Sequence, residues 1–221
     1  MVSIKKIAAV TILTLIVGCS ASNSVPNNSQ ATSPESKSET LEDTLIIPGK
    51  SVGAVTAKTT RADLVKMFGE SKLKDDVVLE GEGTIKVPVT KVNLGENKDF
   101  TVAWEEETRQ KLLYVIDLGS AWKTPQGIGV GTSFDELRQK LGEFKLTGLG
   151  WDYGGFINLE TTKLSEYQGK LSMRLSPDEN ALQKNQQQYQ AVAGDRVLSS
   201  TNPNWEPLDM KVAQMTVQFN Q

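Results

Sequence analysis

Val55-Thr56-Ala57-Lys58-Thr59-Thr60-Arg61-Ala62-Asp63-Leu64-Val65-Lys66-Met67-Phe68-Gly69-Glu70 is followed, at an offset of 73 residues, by Ile128-Gly129-Val130-Gly131-Thr132-Ser133-Phe134-Asp135-Glu136-Leu137-Arg138-Gln139-Lys140-Leu141-Gly142-Glu143. In that register Thr59 falls on Thr132, Leu64 on Leu137, Gly69-Glu70 on Gly142-Glu143 and, further on, Gly81 on Gly154. Self-similarity at one fixed spacing marks a supersecondary unit used more than once. Each stretch reads as a short helix with a signal at both ends. Thr60 with Asp63, and Ser133 with Glu136, put a hydroxyl at the N-cap and a carboxylate three residues on, where free amides point. Gly69 and Gly142 sit where a helix ends in left-handed geometry. Leu64, Met67 and Phe68 share one helix face, as do Phe134, Leu137 and Leu141.

Strands are predicted after each helix. Val77–Glu80 and Thr84–Val87 flank Gly81-Glu82-Gly83 as a hairpin, with a bulge or an edge expected at Pro88 because proline cannot donate to a ladder. Asp75-Asp76 read as turn residues ahead of the first strand. Phe100–Trp104 and Leu112–Ile116 form a second hairpin around the polar turn from Glu105 to Lys111. In the second copy, Phe156–Leu159, Leu171–Leu175 and Met210–Phe219 take the matching roles. Val212, then Met215 after a bulge, Val217 and Phe219 are expected to face the core. The second copy carries an insertion at 176–207. Ser176-Pro177-Asp178-Glu179 reads as a helix start, with Ser at the N-cap and Pro at the first position, and the helix is predicted to run to about Val192. The fold class is therefore α+β: two tandem copies of a short helix followed by antiparallel strands, 44–126 and 127–221, with a helical insertion in the second.

The pattern G-x-[ST]-x-x-[DE]-L-x-x-x-[LF]-G, carried best by Gly131-Thr132-Ser133-Phe134-Asp135-Glu136-Leu137 with Leu141-Gly142, resembles the secreted β-lactamase inhibitor proteins, in which a capped helix with antiparallel strands is used twice. The single helix-plus-strands unit also resembles outer-membrane assembly lipoproteins of the BamE type. The resemblance covers about a third of the chain and implies a fold, not an activity. The chain departs from the inhibitors in lacking their disulfides and in carrying the 176–207 insertion.

Residues 1–18 read as a secretory signal. Lys5 and Lys6 form a positive start, Ile7 to Val17 is a predominantly apolar run too short to span a bilayer comfortably, and Ile16-Val17-Gly18-Cys19 is a lipobox. Cys19, the one cysteine of the chain, is the expected site of lipidation, which also accounts for an unpaired thiol in an exported protein. Several acyl chains make such an anchor long-lived, because each buried CH₂ adds roughly 0.8 kcal/mol. Ser20 is not the aspartate that retains Gram-negative lipoproteins at the inner membrane. The expected location is thus the cell membrane or the outer membrane, with the folded part outside the cytoplasm. Residues 19–43 form the tether; from Ser20 to Asp43 they are Ser, Asn, Thr, Pro, Glu and Gln with almost nothing apolar, which reads as a disordered linker. At roughly 5–6 Å × √n its root-mean-square span is about 25–30 Å.

The chain has 24 basic and 27 acidic residues; loss of Lys5 and Lys6 with the signal makes the balance more acidic. No basic stripe appears, so neither nucleic acid nor an anionic lipid surface is an expected electrostatic partner. There is no histidine, which removes Ser-His-Asp and Cys-His arrangements, HExxH zinc sites and any histidine base. No phosphate loop and no nucleophile elbow occur. Glu105-Glu106-Glu107 is the densest acidic run and reads as a solvated hairpin turn; paired carboxylates remain the one route to a hydrolase. No metal site and no cofactor are expected.

Gly148-Leu149-Gly150-Trp151-Asp152-Tyr153-Gly154-Gly155-Phe156 is the most distinctive stretch. Two placements are open. Trp151 and Tyr153 alternate on one strand face and fill the core, with the glycines as bulges. Alternatively they are exposed, and Trp151, Asp152 and Tyr153 form a binding platform in which the carboxylate accepts hydrogen bonds and the glycines admit a ligand close to the backbone. Trp122 and Trp205 are candidates to extend the patch. The expected role is non-enzymatic: an envelope lipoprotein that binds or scaffolds another envelope protein, or alternatively a module for a glycan such as cell-wall polymer.

Overall fold

The computed structural model describes residues 44–81, 83–95 and 97–219; Cys19, the signal and the tether lie outside them. In chain order the elements are β1 (Ile46–Ile47), β2 (Ser51–Val52), β3 (Val55–Thr56), α1 (Arg61–Phe68), β4 (Leu73–Glu80), β5 (Ile85–Val92), β6 (Phe100–Trp104), β7 (Leu112–Ile116), α2 (Phe134–Leu141), β8 (Lys145–Thr147), β9 (Ile157–Asn158), β10 (Leu171–Ser176), α3 (Glu179–Lys184), α4 (Gln186–Val192), β11 (Val197–Ser199) and β12 (Lys211–Gln218). The class is mixed, with few short helices and antiparallel pairing between all of these strands. β10-β12-β7-β6-β5-β4 form a six-stranded sheet, and β1-β2-β3 and β11-β8-β9 form two small ones.

Both capped helices form as their local sequences dictate. Thr60 accepts from the Asp63 amide while the Asp63 carboxylate returns to the Thr60 amide, and Ser133 with Glu136 repeats the arrangement. Each capping box satisfies two amides that a helix start leaves unpaired. The glycines that end the helices are not left-handed, however. Gly69 has φ 84° and ψ 145°, and Gly142 has φ 82° and ψ −155°. This extended region at positive φ belongs essentially to glycine and turns the chain straight into the following segment.

Beyond the helices the stretches that follow α1 and α2 differ, and two copies of one unit are not seen. β4 and β5 pair over eight residues, from Leu73↔Val92 to Glu80↔Ile85. At the matching point of the second half, β8 and β9 pair only at Lys145↔Asn158 and Leu146↔Ile157. Strands of both halves nevertheless share one sheet, because β12 pairs with β7 at Val217↔Val115. One face of that sheet carries Val92, Phe100, Val102, Trp104, Val115, Met173 and Val217 into a single core. Leu64 of α1, Leu137 of α2, Ile46 of β1 and Leu146 of β8 close over it. Burying some thirty large apolar side chains is the driving term for a chain without a disulfide.

The β12 pattern holds. Val212, Met215, Val217 and Phe219 are buried, and the register slips opposite Arg174/Leu175 so that Ala213 is skipped. That bulge returns Val212 to the core face. At Pro88 there is no bulge, since β5 runs through it in unbroken register opposite Val77, but its far side is an unpaired edge. Pairing of β5 with β6 begins only at Val89↔Ala103, so the missing proline N–H falls where no neighbouring strand needs it.

Two corrections follow in the insertion and in β4. Ser176 is still a strand residue opposite Lys211. The cap is Asp178, whose Oδ1 accepts from the amides of Asn180 and Ala181 at 3.0 and 3.1 Å. The predicted single helix is broken at Asn185 (φ −122°, ψ 45°), whose Nδ2 donates to Ala181 O and Pro207 O. Asp75 and Asp76 are not turn residues but lie within β4.

Candidate binding site

The 148–156 segment leaves β8 and returns as β9 without forming a strand itself. Thr147 ties its two ends together. The Thr147 hydroxyl donates to Tyr153 O at 2.6 Å and accepts from the Phe156 amide at 2.9 Å. The segment is also stitched to the end of α4, with Leu149 N–H on Val192 O and Gly194 N–H on Leu149 O. The glycines serve packing against the chain itself. A Cβ at Gly148 would lie 2.4 Å from Gly194 O, and one at Gly155, where φ is 82°, would lie 2.3 Å from Leu175 O. They therefore do not open the backbone to a ligand.

Neither large ring fills the core. Tyr153 is 63% exposed, Asp152 is exposed and Trp151 is half-buried. The rings of Trp151 and Tyr153 meet edge to face, 5.4 Å apart and inclined by 61°, a favoured aromatic geometry. Trp151 Nε1 donates to Gly148 O at 2.9 Å, which fixes the indole against its own loop. From the outer face of β10, Arg174 donates through Nε to Gly154 O at 3.0 Å, and its Cζ stands 5.7 Å from the centre of the Phe156 ring. On the other side Tyr189 of α4 reaches Gly150, where an added Cβ would sit 3.1 Å from the phenol oxygen. The Trp151–Tyr153 ring pair, the Arg174–Phe156 pair and Tyr189 thus all border one hydrogen-bonded loop. Phe156, Arg174 and Tyr189 come from separate stretches and carry no spacing signal that would have united them in the sequence.

Trp122 and Trp205 do not extend the patch. Both are buried: Trp122 packs edge-on against Phe100 and donates to Lys98 O, while Trp205 packs against Phe134 and donates to Ser199 O.

The acidic residues are engaged in structure. Glu105 pairs with Lys111 and Glu106 accepts from Thr108, both in the exposed turn. Asp75 accepts from Arg61 Nε at 3.1 Å and from the Thr90 hydroxyl at 2.6 Å, and Asp76 pairs with Lys91 at 3.0 Å. The Lys91 hydrogen bond, with one from the Val77 amide, holds the Asp76 carboxyl below its ordinary range. Arg109 Nε lies 3.5 Å from Asp75 Oδ1, an ion-pair distance without a hydrogen bond. A groove of about 460 Å³ borders β4, with Lys74, Lys91, Asp99 and Asp117 in its lining. Asp99 there is occupied in capping the amides of Leu94 and Gly95. Among the described residues no three acidic side chains converge as metal ligands, and no helix is long and apolar enough to cross a membrane.

No family model matches the chain, and no curated protein matches it. Among solved structures, the crystal structure of the uncharacterized protein yfeY from Escherichia coli is similar at a TM-score of 0.46 and 17% identity, over 77% of this chain and 97% of that one.

Proposed function

We propose that the chain is a lipoprotein, anchored through an acylated Cys19 to the cell membrane or outer membrane, whose folded body binds another envelope protein without catalysing a reaction. The exposure of Tyr153 against Trp151, in a loop that Arg174 holds at Gly154 O, is the observation that carries this reading. Tyr, Trp and Arg dominate the energetics of protein interfaces, because each joins a large apolar area to a polar handle. Here the indole is held by its bond to Gly148 O and the Tyr153 backbone by its bond from Thr147 before any partner arrives, so less ordering entropy is lost on binding. The two capped helices, each ending in a glycine with φ above 80°, support reading the body as a diverged internal duplication. The likeness to β-lactamase inhibitor and BamE-type proteins supports a scaffold in the same sense.

The test is site-specific photocrosslinking from position 153 of the full chain in its own envelope, with position 197, also exposed, as the control. The expected result is one discrete protein adduct from 153, lost with Arg174→Ala, and none from 197. Equal labelling at both positions overturns the reading.

A glycan is the second reading, and the observation favouring it is an exposed phenol next to the exposed Asp152 carboxylate. Against a flat sugar platform stands the 61° inclination of the rings, which turns their faces in different directions. Quenching of Trp151 fluorescence by soluble cell-wall fragments, absent in Tyr153→Ala, distinguishes it.

A further inference from the structure

Three of the six large apolar side chains exposed among the described residues sit on one hairpin: Val77, Leu79 and Ile85. Val78 and Val87 of that hairpin pack with Leu113 and Tyr114, and its tip runs on past them. Beyond Val89↔Ala103 no strand pairs with β5 on its far side, so the stretch from Val77 and Pro88 to the turn is a two-stranded ribbon. Such a ribbon is marginal by itself in water and gains from further strands. Its outer strand, β4, ends the sheet and has no strand beyond it.

The backbone phase of that edge is defined. Asn93 N–H donates to Lys72 O, so even-numbered residues of β4 turn their amides toward β5 and Asp75, Val77 and Leu79 turn theirs outward. In keeping with this, the Val77 amide donates only to the Asp76 carboxylate, at 2.9 Å.

We infer that β4 pairs antiparallel with β4 of a second copy of this chain, about a two-fold axis at Val77, to give a continuous twelve-stranded sheet. Charge selects both the partner and the register. Centred on Val77, Lys74 stands opposite Glu80 of the second copy, and Glu80 opposite its Lys74. Val77 meets its own counterpart, and Leu79 lies opposite Asp75. A centre at Asp76 places that carboxylate opposite itself, and a centre at Val78 places Asp76 opposite Glu80; like charges directly opposed destabilise a ladder. Lys74 is available for this role: it has no ion-pair partner among the described residues and acts on Asp76 only through space. Of the devices that block such pairing the edge carries charged side chains, Lys74, Asp75, Asp76 and Glu80, which the Val77 register sets against opposite charges or apolar residues. It has no proline and no bulge, and apolar side chains are exposed along it. The surface is separate from the Trp151 patch, so either reading stands without the other.

The test is sedimentation equilibrium of the full chain in density-matched detergent micelles. A concentration-dependent dimer is expected. Val77→Pro removes an outward amide and its bond to the Asp76 carboxylate but no bond to β5, so it is expected to abolish the dimer while leaving the far-UV spectrum unchanged. Lys74→Glu and Glu80→Lys each oppose like charges at both symmetry-related contacts and are expected to weaken association about tenfold or more. Mixed together, the two variants place opposite charges at both contacts and are expected to form a heterodimer in preference to either homodimer. Loss of the Glu80 bond from Tyr114 within the Glu80→Lys chain affects its homodimer and the heterodimer alike. A monomer at every concentration, a dimer that survives Val77→Pro, or no preference for the heterodimer overturns the inference. Capture of a different protein along this edge by a monomeric chain also overturns it.

Discussion

The hydroxyl of Thr90 donates to Asp75 Oδ1 at 2.6 Å and joins the centre of the core to the surface of the sheet. The same oxygen accepts the indole N–H of Trp104 at 2.9 Å. Thr90 and Trp104 are both fully buried. Asp75 passes the chain of bonds outward to Arg61, whose guanidinium grips Glu70 with two bonds of 2.6 Å. The Glu70 hydrogen bond strengthens the Arg61 cation, outweighing its slight desolvation. A buried indole N–H is thereby satisfied, and α1 is fastened to β4 at the same place.

Thr90→Val keeps the shape and removes the relay. The Trp104 N–H is left without an acceptor in the core, and an orphaned buried donor costs about 1–3 kcal/mol. The unfolding midpoint in urea is expected to fall by that amount with an unchanged slope, while Thr90→Ser retains most of the stability. An unshifted midpoint in Thr90→Val would show that the hydroxyl contributes nothing.

Trp151 and Trp205 should part company when truncated. Trp205→Ala opens a cavity in the core and is expected to cost about 3–5 kcal/mol. Trp151→Ala removes a half-exposed ring and is expected to cost under about 1.5 kcal/mol while removing partner capture. Chemical denaturation of the two variants compares them directly, and equal losses would return Trp151 to the core.

Acid should weaken the fold in a defined window. Thr60 hydrogen bonds lower the Asp63 carboxyl to about 2 from 3.8. Glu136 is likewise lowered, chiefly by the Ser133 amide, and Glu70 chiefly by Arg61. A carboxyl depressed in the folded state is protonated first in the unfolded state, so the unfolded chain holds more protons and stability rises with pH. The contribution is complete above about pH 5 and is lost from there down to about pH 2. Melting temperature followed across this range should drop on acidification, and Asp63→Asn should flatten part of the slope. A slope unchanged by Asp63→Asn would remove the capping box from this account.

Membrane attachment is expected to rest on one thiol. Cys19→Ser should shift the chain from the membrane pellet to the soluble fraction, because no basic surface replaces the lipid. Retention in the pellet would defeat the anchor.

Local signals were the ones readable in the chain. The Thr60/Asp63 and Ser133/Glu136 caps and the alternation of Val212, Val217 and Phe219 depend on neighbours within a few residues, and the fold respects them. Asp75 sits in a strand and not in a turn because its partners, Arg61 and Thr90, come from a helix and another strand that no local pattern announces. The helix break at Asn185 needed Pro207, twenty-two residues on, as an acceptor.

What the sequence by itself determined is the two helices with capping boxes, the hairpins of the six-stranded sheet and the apolar face of its last strand, since short-range sterics and hydrogen bonding specify them. Only the tertiary structure decided that Trp122 and Trp205 are interior while Trp151 and Tyr153 are not, and that Arg174 and Tyr189 meet the loop that carries the latter two. An aromatic ring joins a large apolar area to a surface that can also face water, and where it sits depends on what remote segments bring against it.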